Sequence, residues 1–175
     1  MNDPSITAFG VKDPGAPPEL GVFAFLIGKW EGKGKTKIED GKFAEYSVTW
    51  IGRYILDGTA IADELHGPAP DGSPYLGISL RQYDAARKTW IIEYLNVSNS
   101  FLRRQVNSES GSVHVRGRNV TVTSESPSVA VREHYQVEDD GFVYRLDVSS
   151  DGGKSWKEGE VEMTLQREKA VSRES

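Results

Sequence analysis

Trp30-Glu31-Gly32-Lys33-Gly34-Lys35-Thr36-Lys37-Ile38-Glu39 is the stretch that decides the fold. Its charged residues, Glu31, Lys33, Lys35, Lys37 and Glu39, fall on every second position. Trp30, Gly32, Gly34, Thr36 and Ile38 lie between them. A period of two sends the two sets to opposite faces of an extended chain, so the stretch reads as a strand with a charged solvent face. The inner face lacks bulk, and glycines there predict a sharp bend or the close approach of another group. Asp40-Gly41-Lys42 then supplies a hairpin turn.

The same design repeats downstream. Strands are expected near 43–51, 53–66, 75–84, 88–98, 100–108, 111–124, 128–138, 141–150 and 155–168. Turn chemistry separates them at Pro68–Pro74, Asp84–Lys88, Glu109–Gly111, Pro127, Asp139-Asp140-Gly141 and Asp151-Gly152-Gly153. Short turns between consecutive strands make an antiparallel meander. An open sheet of that size leaves two bare edges, and closure removes both. The expected fold is therefore all-β: an antiparallel up-and-down barrel of about eight to ten strands, whose interior can hold one small ligand.

Upstream, Pro17-Pro18-Glu19 suits a helix start, and Leu20, Phe23, Ala24 and Ile27 follow at helical spacing. Gly28 is the expected left-handed cap of this short N-terminal helix. Residues 1–18 hold four prolines and read as an extended arm, 19–168 as the barrel, and 169–175 as a polar tail.

Composition narrows the function. The 175 residues fit one domain, and 37% hydrophobic with 27% charged residues is a globular balance. The net charge of -5 argues against nucleic-acid and anionic-membrane partners. There is no cysteine, hence no disulfide, thiolate metal site or thiol nucleophile. The longest apolar run, Gly21–Gly28, is too short for a membrane span, and no basic n-region precedes it, so a cytoplasmic protein is expected.

Ser149-Ser150-Asp151-Gly152-Gly153-Lys154-Ser155-Trp156 matches the Asp-box pattern. Its carboxylate can accept backbone N–H bonds within the turn, and its glycines permit positive φ. A single copy in so short a chain reads as a structural hairpin, not as part of a sialidase propeller.

Gly28-Lys29-Trp30 at the helix–strand junction, with Met163-Thr164-Leu165-Gln166-Arg167 in the last strand, resembles the calycin superfamily of lipocalins and their relatives. The resemblance implies that Trp30 packs under Arg167 and closes one end of the barrel, a contact favourable by about 0.5–2 kcal/mol. Arg81-Gln82-Tyr83-Asp84 followed by Trp90, Tyr94 with Asn96, and the Asp-Gly-Gly-Lys-Ser-Trp hairpin extend the likeness to a bacterial lipocalin-like family of unknown function, over most of residues 20–168. What that implies is a fold and a central pocket, with no activity to transfer.

Parity selects the inward residues. Tyr46, Val48 and Trp50 form one set, and Tyr75, Gly77, Ser79, Arg81 and Tyr83 another. Trp90, Ile92, Tyr94 and Asn96 share a face, as do Val129, Val131, Glu133, Tyr135 and Val137, and Phe142, Tyr144, Leu146 and Val148. On 53–66 the choice between the Thr59, Ile61, Asp63, Leu65 set and the Ala60, Ala62, Glu64, His66 set stays open. The candidate ligand-binding residues are Trp50, Arg81, Tyr83, Trp90, Tyr94, Asn96 and Tyr144, in a pocket with apolar walls and sparse polar groups. The alternative for the charged residues is that Arg81 and Glu133 or Asp63 only pair inside a packed barrel.

Candidate catalytic groups are Glu133 and Asp63, since burial raises a carboxyl's pKa toward the acid–base range. His66, His114 and His134 stand alone, without metal-ligand spacing, so neither a metal nor a cofactor is expected. Haem on one histidine, as in nitrobindin-like barrels, is an alternative on fold grounds. There is no Gly-x-Ser-x-Gly elbow, phosphate loop or dinucleotide fingerprint. Arg103-Arg104 and Arg116 with Arg118 read as a solvated outer face. Three functions follow: a binder of a small apolar or aromatic molecule, a cofactor-independent isomerase, hydratase or cyclase, or a filled barrel that forms a homodimer.

Overall fold

The computed structural model describes residues 8–68, 72, 74–98, 101–125 and 128–168, with backbone alone at 74, 97, 98 and 101–111. Ten antiparallel strands close into a barrel in simple sequential order: β1 (Gly28–Glu39), β2 (Lys42–Ile55), β3 (Ala60–Pro68), β4 (Pro74–Asp84), β5 (Thr89–Ser98), β6 (Phe101–Arg116), β7 (Asn119–Glu125), β8 (Ala130–Val137), β9 (Gly141–Ser149) and β10 (Lys157–Arg167). β1 pairs with β2 on one side and β10 on the other, with Trp30 opposite both Trp50 and Arg167. Arg167 lies over the Trp30 ring, 4.2 Å from its centroid. The barrel thus shuts where the sequence places its first and last strands.

The inner-face glycines of β1 are sites of close approach. A Cβ on Gly32 would stand 1.9 Å from the Thr164 carbonyl oxygen, and one on Gly34 2.5 Å from the Tyr46 ring. Tyr46 lies across that gap and reaches Thr36 Oγ1 at 3.0 Å.

Three expectations are corrected. The N-terminal helix is a 3-10 helix, Pro18–Leu26, and its buried residues are Leu20, Phe23 and Leu26. Their spacing of three matches three residues per turn, which leaves Ala24 exposed. Gly28 is no helix cap but the first residue of β1, at φ 133°, and a Cβ there would lie 2.6 Å from Arg167 Nη1.

The run 53–66 is not one strand. β2 continues through Gly52 to Ile55, and a 3-10 turn, Leu56–Gly58, precedes β3. Gly52 is no break because it lies in the ladder, opposite Gly28 and Asp63, where its missing Cβ admits the Leu26 carbonyl. Asp57-Gly58, inside the apolar run, is the actual turn, with φ of 53° and 87°. Likewise 100–108 and 111–124 are not separated at Glu109–Gly111. β6 runs on to Arg116, and the turn falls at Gly117, φ 61°. Gly111 pairs with both Trp90 and Ser124, so the ladder holds it extended.

The 3-10 helix plugs one end of the barrel. Phe23 meets Trp90 edge-on at 4.9 Å, and Phe25 meets Phe142 at 5.5 Å. Leu20, Leu26, Trp30, Ile61, Tyr135 and Leu165 complete a dry core at that pole. Residues preceding the helix are tied to the barrel: Tyr54 N–H donates to Phe9 O at 2.8 Å, and Asp13 N–H to Gly58 O at 3.1 Å. Residues 1–7 of the expected arm, the tail 169–175, Pro127 and the side chains of Arg103 and Arg104 lie outside the described residues. No helix among the described residues is long and apolar enough to cross a membrane.

Candidate functional site

With one pole filled, the remaining interior forms a cavity of about 340 Å³. Its walls alternate aromatic and aliphatic groups: Tyr46, Val48 and Trp50 from β2, Leu65 from β3, Tyr94 from β5, Leu146 from β9 and Met163 from β10. Parity places them, since each lies on the inward position of a period-two strand. On β3 it is the odd set that faces in, which brings Asp63 to the cavity and turns Glu64 and His66 outward. Polar groups are sparse: Asp63, Ser79, Ser124, Glu133 and the hydroxyls of Tyr75, Tyr94 and Tyr144. The Tyr75 and Tyr94 hydroxyls contact each other, and burial pushes Tyr75 up to about 12.

At the inner end of the cavity sits a cluster from four strands. Arg81 is fully buried. Its Nε and Nη2 donate to the two Asp63 carboxylate oxygens at 3.0 and 3.3 Å, and Nη2 also donates to Tyr135 Oη at 3.0 Å. The Phe23 and Tyr135 rings lie against the guanidinium at 5.0 and 5.9 Å. Glu133 stands 3.6 Å from Arg81 Nη1, too far for a hydrogen bond, and accepts a long bond from Tyr144 Oη at 3.4 Å. One cation therefore serves two carboxylates. Burial pushes the Asp63 carboxyl up to about 6, opposed by the Arg81 charge and aided by that of Glu133. Burial, with the Glu133 charge beside it, likewise holds the Tyr144 hydroxyl protonated.

Of the sequence-selected residues, Trp50, Asp63, Tyr94, Glu133 and Tyr144 line this cavity together. Arg81 lies beneath it, covered by its partners. Tyr83 and Trp90 face inward but at the plugged pole, in edge contact at 5.3 Å and beside a second, open depression that also includes Glu19 and Val22. Asn96, half-buried and opposite Gly77, is not among the walls. Sequence reasoning did not single out Tyr46, Tyr75, Ser79, Ser124 or Met163 as site residues. The signal was present for Tyr46, Tyr75 and Ser79, which share parity with Trp50 or Arg81. Tyr135 is the missed second anchor of Arg81. The indole N–H of Trp50 is buried and has no hydrogen-bond partner among the described residues.

No histidine faces the cavity. His66 pairs with Glu64 at 3.0 Å, His114 is exposed, and His134 contacts Asp147 at 2.8 Å on the outer face. An axial histidine for haem inside the barrel is thereby removed from the alternatives. No group of three or more metal-ligating residues converges among the described residues. Outside the barrel, Asp147 is fully buried. Burial raises its pKa, but the Gly159 N–H, His134 and Arg145 outweigh that and hold it low. It anchors β9 to β8 and β10.

The Asp-box hairpin is a self-contained turn. Asp151 accepts from the N–H groups of Lys154 and Ser155 at 3.0 and 2.9 Å, from Ser155 Oγ at 2.6 Å and from Ser149 Oγ at 2.7 Å. The Ser155 hydroxyl bond is the chief reason its carboxyl is pulled down to about 2. Trp156 Nε1 donates to Gly153 O at 3.1 Å, and Arg132 stacks on the indole at 3.9 Å.

A solved structure, that of Rv2717c from M. tuberculosis, matches this chain with a TM-score of 0.59 over 88% of this chain and 99% of its own, at 18% sequence identity. That likeness shows the barrel fold. No protein-family model and no curated protein matches the sequence.

Proposed function

We propose that the protein binds a small, largely apolar molecule inside the barrel, in the manner of a calycin. The interior cavity of about 340 Å³ carries this reading. Small-molecule sites occupy roughly 300–1,000 Å³ and combine apolar walls with a few convergent polar groups. A barrel built only for stability or for self-association would fill that space with side chains, since interiors pack without voids of this size. The unpartnered Trp50 N–H supports the same reading, because a buried donor without an acceptor is costly unless something supplies one.

Native mass spectrometry of freshly purified protein, followed by calorimetric titration with a panel of apolar alcohols, amines and acids, tests it. Saturable one-to-one binding in the wild type, lost in Leu146→Trp, is the expected result. A wild type that binds nothing in the panel and carries no co-purifying molecule overturns it.

A second reading, cofactor-independent proton-transfer catalysis, is favoured by one observation. Asp63 and Glu133 face the same apolar cavity and share a single cation, and burial raises Asp63 into the acid–base range. Glu133 is the base in this reading, because Asp63 is held by both its oxygens. The test is α-proton exchange of a bound apolar ketone, such as α-tetralone, in D2O. Exchange that Glu133→Gln abolishes supports catalysis, and a bound ketone that does not exchange excludes it.

A further inference from the structure

The electrostatic character of the cavity selects among apolar ligands. Among the described residues, its charged wall residues are Asp63 and Glu133, and no Lys, Arg or His contributes to its lining. Arg81 lies behind the wall, with its Nε and Nη2 committed to Asp63 and Tyr135 and its face covered by Phe23. Its remaining donor, Nη1, is buried without a hydrogen-bond partner and stands 3.6 Å from Glu133, so one cation is shared by two carboxylates and none of its surface is open to a ligand. Asp63 is 2% exposed and held at both oxygens, whereas the Glu133 side chain keeps 15% of its surface open and is held by longer contacts, 3.4 Å from Tyr144 Oη and 3.6 Å from Arg81 Nη1. Glu133 is thus the acceptor a ligand meets. Trp50, Tyr46, Tyr75, Tyr94 and Tyr144 contribute to the walls of the same cavity, and Tyr144 is in contact with Glu133.

A carboxylate in a cavity walled by electron-rich rings attracts organic cations, since the ring quadrupole adds to the charge attraction. The same arrangement repels carboxylates, and it does so strongly where water is excluded. We infer that the ligand class is a protonated amine on an apolar or aromatic body, with its ammonium group directed to Glu133. This inference rests on the binding reading above and specifies the ligand for that same cavity.

A matched series tests it: 1-naphthylmethylamine, 1-naphthylmethanol and 1-naphthoic acid, titrated calorimetrically at pH 7 into the full chain and into Glu133→Gln. The expected order is amine tighter than alcohol by about tenfold or more, with the acid weakest. In Glu133→Gln the amine loses its advantage and falls to the level of the alcohol measured in the same variant. If the acid binds as tightly as the amine, or the preference survives in a folded Glu133→Gln, the inference fails while the binding reading stands. If no member of the series binds the wild type, both fail. The wild-type ranking alone decides the matter should the variant not fold.

Discussion

Arg167 covers the indole of Trp30 at 4.2 Å while Trp30 Nε1 donates to Leu26 O at 2.9 Å, so one tryptophan joins the last strand, the first strand and the helical plug. Arg167 is exposed although Trp30 is buried, which limits the contact's worth to about 0.5–1 kcal/mol. Arg167→Ala is expected to lower stability by that amount in urea unfolding. Gly28→Ala costs more, about 1–3 kcal/mol, because it combines a glycine-only backbone angle with a Cβ 2.6 Å from Arg167 Nη1. In the Arg167→Ala background, Gly28→Ala regains only the part due to that contact.

The Arg81–Asp63 pair predicts a larger effect. Arg81→Met leaves two buried carboxylates facing each other, with an expected loss of about 3–5 kcal/mol by chemical denaturation. Asp63→Asn is milder, because Arg81 keeps Tyr135 and the nearby Glu133. The double variant Asp63→Asn/Arg81→Met is expected to be more stable than Arg81→Met alone.

Two carboxyls give opposite pH signatures. Asp63 is raised to about 6 in the folded protein from an ordinary 3.8, so the folded state binds its proton more tightly than the unfolded state. Its contribution favours the fold below about pH 4 and is lost as pH rises to 6. Asp63→Asn should therefore gain on the wild type between pH 4 and 6 in thermal melts, and hold that gain above pH 6. Asp151 is lowered to about 2, so its stabilisation is present above pH 4 and disappears as pH falls toward 2. Asp151→Asn should lose stability at neutral pH and show a flatter acid limb. A parallel pH course for the two variants would contradict both assignments.

Overfilling predicts the converse of cavity creation. Leu146→Trp places a larger side chain where open volume exists, so its stability is expected to stay within about 1.5 kcal/mol of the wild type. Its ligand titration should be flat. A large loss of stability would show that the space does not accept a side chain.

Period-two alternation made the strands and their inward faces legible, from Tyr46–Trp50 through Phe142–Val148. It did not give depth along the barrel axis. Tyr83, Trp90 and Asn96 share the inward parity of Tyr94, yet the first two lie at the plugged pole and Asn96 is outside the cavity wall, because strand tilt separates residues that alternation groups together. Strand ends were the other failure. Gly52 and Gly111 sit inside ladders where a Cβ would clash or pairing holds the chain extended, and turn chemistry alone cannot distinguish that use of glycine from a bend. The closing contact of Trp30 with Arg167 was legible only through resemblance, since nothing in the spacing of residues 137 positions apart brings them together.

The four tryptophans occupy three different settings. Trp30 and Trp156 are each capped by a guanidinium, Trp90 is wedged against Phe23 and Tyr83, and Trp50 alone forms part of the cavity wall. The molecule therefore carries an intrinsic optical reporter of occupancy. A change in indole emission on adding a compound reads out Trp50, and replacing that residue with phenylalanine would leave a folded barrel spectroscopically blind to its guest.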